Sequence, residues 1–167
     1  MKKIIALLAV VGMFSLQGCT SSVSPAGIVN NNFLSTVYET TSVNFLPTGY
    51  SINYTFPMAI YPSDVVLVYR LSGAVNGNDL WEFLPENHYF VDGTRNFSYN
   101  FNFTRNDVQI YLEGNNLSTL DPAYRLNQIF RIVVVPGSLA TTLNTKDYVG
   151  VMAALKLNEN QIQKINF

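Results

Sequence analysis

The feature that most constrains the fold is a strict alternation of aromatic and polar residues over positions 97–104. The aromatic positions are Phe97, Tyr99, Phe101 and Phe103, and the polar positions between them are Ser98, Asn100, Asn102 and Thr104. Because successive side chains of an extended strand point to opposite faces, a period of two places all four aromatic rings on one face. The segment therefore predicts a half-buried β-strand whose aromatic face lies against a hydrophobic core.

Similar segments, separated by turn signals, occur along most of the chain. The candidate strands are residues 37–45, 51–56, 64–71, 80–84, 88–91, 108–112 and 128–135. Asn76-Gly77 and Asp92-Gly93 are typical of tight hairpin turns, since these residue types tolerate a positive φ. About eight short strands at such spacings predict a mainly β domain, an antiparallel β-sandwich of immunoglobulin-like or jelly-roll type.

The C-terminal part of the chain changes from a strand pattern to a helix pattern. Apolar residues recur at the spacing of one helix face at Tyr148, Val151, Met152 and Leu155. Asn144 or Thr145 is expected to cap the start of this helix, which should pack across one end or an edge of the sandwich. Asn158 and Gln161 have the spacing of a capping box for a second short turn over residues 159–164.

The N-terminus has the pattern of an export signal that ends at a cysteine. Two lysines precede an apolar run over residues 4–16, which is shorter than the roughly 20 residues of a membrane span. The run ends in Leu-Gln-Gly-Cys at positions 16–19, which resembles the lipobox of bacterial lipoproteins. That resemblance implies cleavage after Gly18 and attachment of a lipid, such as palmitate, to Cys19. Cys19 is the only cysteine of the chain, so the domain is expected to fold without an internal disulfide.

These signals divide the chain into three parts. We expect a lipoprotein signal peptide over residues 1–18, a lipidated Cys with a flexible tether over residues 19–32, and a single β-sandwich domain with a C-terminal helix over residues 33–167. As a flexible coil, the tether has a mean reach of about 20 Å. The protein is then exported and held on a bacterial membrane through Cys19. Thr20, in place of an Asp, after the cysteine is compatible with delivery to the outer membrane, and we expect the protein at its periplasmic face or at the cell surface.

Composition disfavours several classes of function. The formal net charge is -1 and the chain has no basic block, whereas nucleic-acid binding depends on clustered Lys and Arg. One histidine and a lipidated cysteine cannot supply the usual nitrogen and sulfur ligands of a zinc site. EF-hand spacing is absent from the sequence. We therefore predict no metal site and no cofactor.

His88 is the only histidine and hence the only candidate for a histidine base. In a Ser–His–Asp triad, Asp79 or Asp92 would orient it. The sequence lacks the Gly-x-Ser-x-Gly motif of a nucleophile elbow, and a structural histidine is the commoner role within a strand. We therefore assign no catalytic residue.

Two further sets of side chains have alternative interpretations. Four carboxylates lie in or near loops that could meet at one end of the sandwich and there serve a hydrolase or calcium: Asp92, Asp107, Glu113 and Asp121. Because EF-hand spacing is absent, solvated loop carboxylates are the favoured interpretation. Trp81 is either a platform for stacking carbohydrate or, as the composition of sandwich cores favours, a buried core residue.

Five segments of the domain carry a resemblance to a known group of proteins. They read SDVVLVYRL at 63–71, LWEFLP at 80–85, YNFNFT at 99–104, DVQIYL at 107–112 and NQIFRIVVVPG at 127–137. Together they resemble the globular part of small flavobacterial lipoproteins, over residues 33–167. Some of those proteins carry a collagen-like stalk before the domain, but this tether lacks the Gly at every third position that a stalk requires. The resemblance implies a location and a fold, and no activity.

The sequence thus predicts a membrane-anchored lipoprotein that acts as a non-enzymatic interaction or structural module of the cell envelope. Its partner would be an envelope protein or a glycan. The alternative is a carbohydrate-active or other hydrolytic accessory protein that uses loop carboxylates. Two carboxylates facing each other across a cleft would favour the enzyme, whereas a flat aromatic or hydrophobic patch would favour the binding module.

Overall fold

Nine β-strands and three short α-helices make up the part of the chain that the computed structural model describes, residues 35–166. The strands are β1 (Thr36–Thr40), β2 (Ser51–Thr55), β3 (Val65–Val75), β4 (Asn78–Phe83), β5 (Glu86–Tyr89), β6 (Arg95–Phe103), β7 (Asp107–Gly114), β8 (Phe130–Val135) and β9 (Gln163–Ile165). The helices are α1 (Pro122–Arg125), α2 (Gly137–Ala140) and α3 (Tyr148–Ala154). The described residues belong to one compact unit.

The strands are arranged in two sheets. The five-stranded sheet has the order β4-β3-β8-β1-β9, and the four-stranded sheet has the order β2-β7-β6-β5. Neighbouring strands are antiparallel except β1 and β9, which run parallel. The predicted mainly β fold is confirmed. The sheets are mainly antiparallel, as expected, and the parallel β1–β9 pair arises because the chain crosses the sheet through α3 before it returns as β9.

The main hydrophobic core lies between the two sheets. The five-stranded sheet contributes Val66, Val68, Phe130, Ile132 and Val134, and the four-stranded sheet contributes Phe97, Tyr99, Val108, Ile110 and Leu112. These residues occupy alternate positions of their strands, as a half-buried strand requires. Packing of this kind between two sheets is that of a sandwich.

The aromatic face of β6 is buried over only part of its length. Phe97 and Tyr99 are fully buried and Phe101 is partly buried, but Phe103, the last residue of the strand, is 39% exposed. Ser98, predicted to face solvent, is also buried, and the side chains of Arg95 and Asn100 on its own strand donate hydrogen bonds to its hydroxyl. The alternation therefore predicted correctly which face of β6 points into the core. It did not predict how many residues of that face are buried.

Helix α3 covers the outer face of the five-stranded sheet. The predicted stripe of Tyr148, Val151, Met152 and Leu155 is confirmed, and it packs on Val37, Leu67, Tyr69, Val133 and Val135. The expected position at an end or edge of the sandwich is wrong. The reason lies in β8, whose six residues are all buried: a strand that is apolar on both faces needs a cover on each.

The ends of the C-terminal elements also differ from expectation. Asp147, rather than Asn144 or Thr145, caps α3, since its Oδ1 accepts a 2.9 Å hydrogen bond from the Gly150 amide. The predicted capping box of Asn158 and Gln161 is present around the 3₁₀ turn Glu159–Gln161. This turn ends at Gln161, after which the chain extends into β9.

Candidate functional site

A polar cluster lies on the inner faces of the two sheets, at the edge where β3 and β5 approach each other. Arg70 on β3 donates from Nε and Nη2 to the two carboxylate oxygens of Glu86 on β5, at 2.7 Å each. Two residues farther along β5, His88 places Nε2 at 2.8 Å from Glu86 Oε1. Glu86 and His88 lie opposite Tyr99 and Phe97 of β6, so they share the face of that strand that forms the core.

Gln128 connects this cluster to the loop that precedes β8. Its Oε1 accepts hydrogen bonds from Arg70 Nη1 and Tyr99 Oη at 3.2 and 3.3 Å. Its Nε2 donates to the carbonyls of Ala123 and Leu126 at 2.8 and 2.7 Å. The same loop accepts a 2.6 Å hydrogen bond from Tyr99 Oη at its Tyr124 carbonyl. Hydrogen bonds of the cluster thus hold the loop against the sandwich.

Burial and neighbouring charges shift the pKa values of Arg70 and Tyr99 in this cluster so that neither group changes its charge near neutral pH. Burial alone would lower the pKa of Arg70, but its hydrogen bonds to Glu86 outweigh burial, and the pKa lies above its usual value. Burial raises the pKa of the Tyr99 phenol despite the nearby charge of Arg70. Arg70 therefore stays charged and Tyr99 stays neutral over the physiological range.

His88 is held mainly by aromatic rings. Its imidazole stacks on Phe97 with ring centres 4.3 Å apart and planes within 5°, and its ring centre is 5.2 Å from that of Tyr124. Nε2 is buried, and although it is close to Glu86, no well-aligned hydrogen bond joins the two within the described residues. The carboxylate beside Nε2 is thus one that already binds an arginine.

Neither aspartate proposed for a triad accompanies His88. Asp79 lies on β4, opposite Ala74 of β3. Asp92 lies in the turn between β5 and β6, where its Oδ1 accepts hydrogen bonds from the Thr94 amide and hydroxyl at 2.9 and 2.6 Å. A local contact within the turn therefore engages Asp92.

The four loop carboxylates do not meet at one end of the sandwich. Asp107 lies at the β6–β7 hairpin, whereas Asp92 lies at the β5–β6 hairpin, at the other end of β6. Glu113 accepts a 3.1 Å hydrogen bond from the Asn100 side chain, and Asp121 caps α1. Within residues 35–166, no three His, Cys, Asp or Glu side chains are grouped so as to hold a metal ion.

Trp81 is half-buried against the second hydrophobic cluster, which agrees with a core residue in kind but not in location. It lies on the outer face of the five-stranded sheet, not between the sheets. The guanidinium of Arg131 is 4.1 Å from the centre of its ring, and the ring of Tyr148 on α3 is 5.5 Å away. Trp81 is thus part of the contact between the sheet and α3.

A surface cleft of about 310 Å³ opens beside the β5–β6 turn, and we call it the aromatic–amide cleft. Its lining consists of Phe90, Asn96, Asn115, Asn116, Thr119, Leu120, Asp121 and Tyr124. Phe90 is 53% exposed and Tyr124 is 39% exposed. Tyr124 also contacts His88, so the cleft adjoins the polar cluster.

The polar groups of the aromatic–amide cleft retain hydrogen-bonding capacity. The side-chain amides of Asn96 and Asn115 make no hydrogen bond to any other described residue. Asp121 uses one carboxylate oxygen to accept a 2.8 Å hydrogen bond from the Ala123 amide, which leaves the other oxygen available. This combination of exposed rings and unpaired polar groups is the arrangement from which small-molecule sites are built.

A second cleft, of about 450 Å³, lies along the β4–β5 connection. Its lining residues are Glu82, Phe83, Pro85, Glu86, Asn87 and Lys146. It contains two carboxylates, but both oxygens of Glu86 accept hydrogen bonds from Arg70. The second cleft therefore offers only Glu82 as a carboxylate without such a partner.

The sequence predicts that Arg131 either points outward or pairs, whereas no pattern singled out Arg70, Glu86 or Gln128. Arg70 and Arg131 are single charges within strands that are otherwise apolar on both faces. A charge in such a position requires a partner, since an unpaired buried charge is costly. The identity of that partner, Glu86 for Arg70 and Glu39 for Arg131, depends on pairing between distant strands.

Comparisons with family models, with curated proteins and with solved structures give no match to this chain. The predicted signal peptide, Cys19 and the predicted tether over residues 19–32 lie outside the described residues. Within residues 35–166, none of the helices combines the length and apolar character needed to span a bilayer.

Proposed function

We propose that the chain is an exported lipoprotein whose β domain acts as a non-enzymatic interaction module of the cell envelope. The lipid on Cys19 would hold the domain on the outer membrane, at its periplasmic face or the cell surface, as the likeness to flavobacterial lipoproteins implies. We further take the two packed sheets to be a sandwich of immunoglobulin-like or jelly-roll type. The sequence at positions 16–19 supports the anchor.

The aromatic–amide cleft is the observation that carries the binding proposal. Exposed aromatic rings beside unpaired amides form a surface that gains stability from contact with a partner. The surface is backed by the fully buried Phe97 and Tyr99 and by the hydrogen bonds of Gln128, so the scaffold holds it in place. A partner would therefore meet a preformed site, which lowers the entropic cost of binding.

A hydrolytic accessory protein has weaker support from the second cleft. Glu82 and Glu86 would be its two carboxylates. A carboxylate that acts as a general acid or nucleophile needs an accessible oxygen, whereas Arg70 occupies both oxygens of Glu86. The same ion pair stabilises the edge of the sandwich, so its structural role accounts for the geometry.

Photocrosslinking in the native envelope tests the binding proposal. The full-length chain would carry benzoylphenylalanine in place of Phe90, and a matched control would carry it in place of Val149, which is 75% exposed on α3. We expect position 90 to form adducts in intact membranes and position 149 to form few. Equal yields at both positions, or a chain that fractionates away from membranes, would contradict the proposal.

A further inference from the structure

We infer that the aromatic–amide cleft binds a neutral oligosaccharide. This inference rests on the proposed function and specifies the chemical class of its partner. Two exposed rings, those of Phe90 and Tyr124, line this cleft. Beside them lie polar groups that have hydrogen-bonding capacity left, on Asn96, Asn115 and Asp121. Sugars carry apolar C–H faces and hydroxyl groups on the same ring, so both kinds of surface are needed to bind them.

The ring of Tyr124 and the backbone of Phe90 are held in place before any ligand arrives. The backbone of Phe90 closes the β5–β6 turn: its amide donates to the Thr94 carbonyl at 2.8 Å, and its carbonyl accepts from the Gly93 amide at 3.0 Å. The ring of Tyr124 has its centre 5.1 Å from that of Phe97. A ring that is already ordered loses little entropy when a sugar packs on it.

The polar lining matches hydroxyl groups better than it matches ions. An amide side chain offers both donors and an acceptor, and a hydroxyl group likewise donates and accepts. The free oxygen of Asp121 can accept from a hydroxyl, but it would repel a carboxylate or a sulfate. No Lys or Arg side chain lines this cleft. These groups therefore select a neutral glycan over an anionic one.

The size of the cleft limits how much of a glycan it can hold. A volume of about 310 Å³ is at the lower end of the range for ligand sites. It corresponds to about one or two sugar units of a longer chain, with the rest in solvent. The site thus fits the end of a glycan or a short stretch of it.

A lipid bilayer is the other surface that exposed aromatic residues could contact. Tyr89, Phe90 and Val91 are all exposed in and beside the β5–β6 turn, as they would be in a membrane-inserting tip. Insertion of this turn would bring the Asp121 carboxylate and the amides of Asn96 and Asn115 towards a medium without hydrogen-bond partners, which is costly. The polar lining therefore favours the glycan.

Titration of the full-length lipidated chain in nanodiscs tests the inference. The probes are neutral oligosaccharides of glucose, mannose, galactose and N-acetylglucosamine, with polygalacturonate as the anionic probe and phosphatidylglycerol vesicles as the lipid probe. The variants are Phe90→Ala and Asn115→Ala, whose side chains lie at the surface of the cleft. Phe103→Ala is the matched control, because it removes an exposed ring at the other end of β6.

We expect at least one neutral oligosaccharide to bind, with an affinity that Phe90→Ala and Asn115→Ala each lower by about tenfold or more. Phe103→Ala should change this affinity by less than about twofold. The inference is wrong if no neutral probe binds, if only polygalacturonate or vesicles bind, or if all three variants behave alike. Circular dichroism of each variant excludes unfolding as the cause of a loss.

The crosslinking experiment separates failure of this inference from failure of the proposed function. If benzoylphenylalanine at position 90 captures an envelope protein and no neutral probe binds, the proposal of an interaction module is supported and the inference of a glycan ligand is wrong. If it captures neither protein nor glycan above the control at position 149, both proposals fail.

Discussion

Arg131 and Glu39 face each other across the neighbouring strands β8 and β1, where Arg131 Nε donates a 2.7 Å hydrogen bond to Glu39 Oε2. Both residues are buried. Glu159, at the start of the last 3₁₀ turn, accepts from Arg131 Nη1 and Nη2 at 2.9 and 2.6 Å, and Lys164 on β9 donates to Glu39. The pair therefore links the C-terminal segment to the centre of the five-stranded sheet.

This relationship predicts a dependence of stability on pH. Burial by itself would raise the pKa of the Glu39 carboxyl, but the hydrogen bonds and charges of Lys164 and Arg131 outweigh it and hold the pKa below its usual 4.5. A lowered pKa in the folded state contributes stability that is fully present above the unfolded pKa and is lost as pH falls through the folded pKa. We expect the free energy of unfolding to decrease once pH falls below about 4.5, and to decrease less in Glu39→Gln.

Urea unfolding monitored across this pH range measures the effect. Glu113→Gln is the control, because Glu113 is largely exposed and should leave the pH profile of the wild type unchanged. Parallel profiles for Glu39→Gln and the wild type would show that the pair does not affect stability in this way. An NMR titration of the Glu39 carboxyl in the wild type provides a check that needs no variant.

Replacing an aromatic side chain of β6 by Ala should cost more stability at the start of the strand than at its end. Phe97→Ala empties a fully buried site and should lower the free energy of unfolding by about 3–5 kcal/mol. Phe103→Ala, on the same face of the same strand but 39% exposed, should lower it by about 1 kcal/mol or less. Denaturant titration measures both, and equal losses would mean that the sheets cover β6 along its whole length.

Helix α3 offers a matched pair of positions for testing its docking. Val151→Asp places a carboxylate in the layer between α3 and the sheet, and it should destabilise the protein by about 3 kcal/mol or more. Val149→Asp makes the same change on the exposed side of the helix and should have an effect within about 0.5 kcal/mol. Thermal unfolding distinguishes them, and similar melting temperatures would show that α3 is not a required cover of the sheet.

Cys19→Ala tests the anchor that the sequence predicts. Loss of the thiol removes the site of acylation, and the hydrophobic gain of an acyl chain is about 0.8 kcal/mol per buried CH₂. We expect the wild type to partition into the detergent phase and the variant either to partition into the aqueous phase or to remain unprocessed. A wild-type mature chain with an unmodified N-terminal mass in the aqueous phase would contradict the lipoprotein assignment.

Local periodicity was enough to predict the elements whose burial repeats evenly. Val108, Ile110 and Leu112 of β7 are buried at every second position, and the helix stripe from Tyr148 to Leu155 is buried as its spacing indicated. The turn at Asn76-Gly77 has a positive φ at both residues, as the residue types require. In each case, the physical cause lies within a few residues of the chain, so the sequence by itself determines it.

Only the tertiary structure decided which surfaces these elements cover and which charges they bring together. Periodicity identifies an apolar face but not the partner that buries it, so the position of α3 on the sheet could not be derived. The three-residue strand β9 is too short to have a pattern and exists because β1 offers it an edge. Arg70 meets Glu86, and Phe90 shares a cleft with Tyr124, because the fold brings separate strands and loops together. The candidate site is made of such long-range contacts, which have no period along the chain and therefore become visible only in the folded protein.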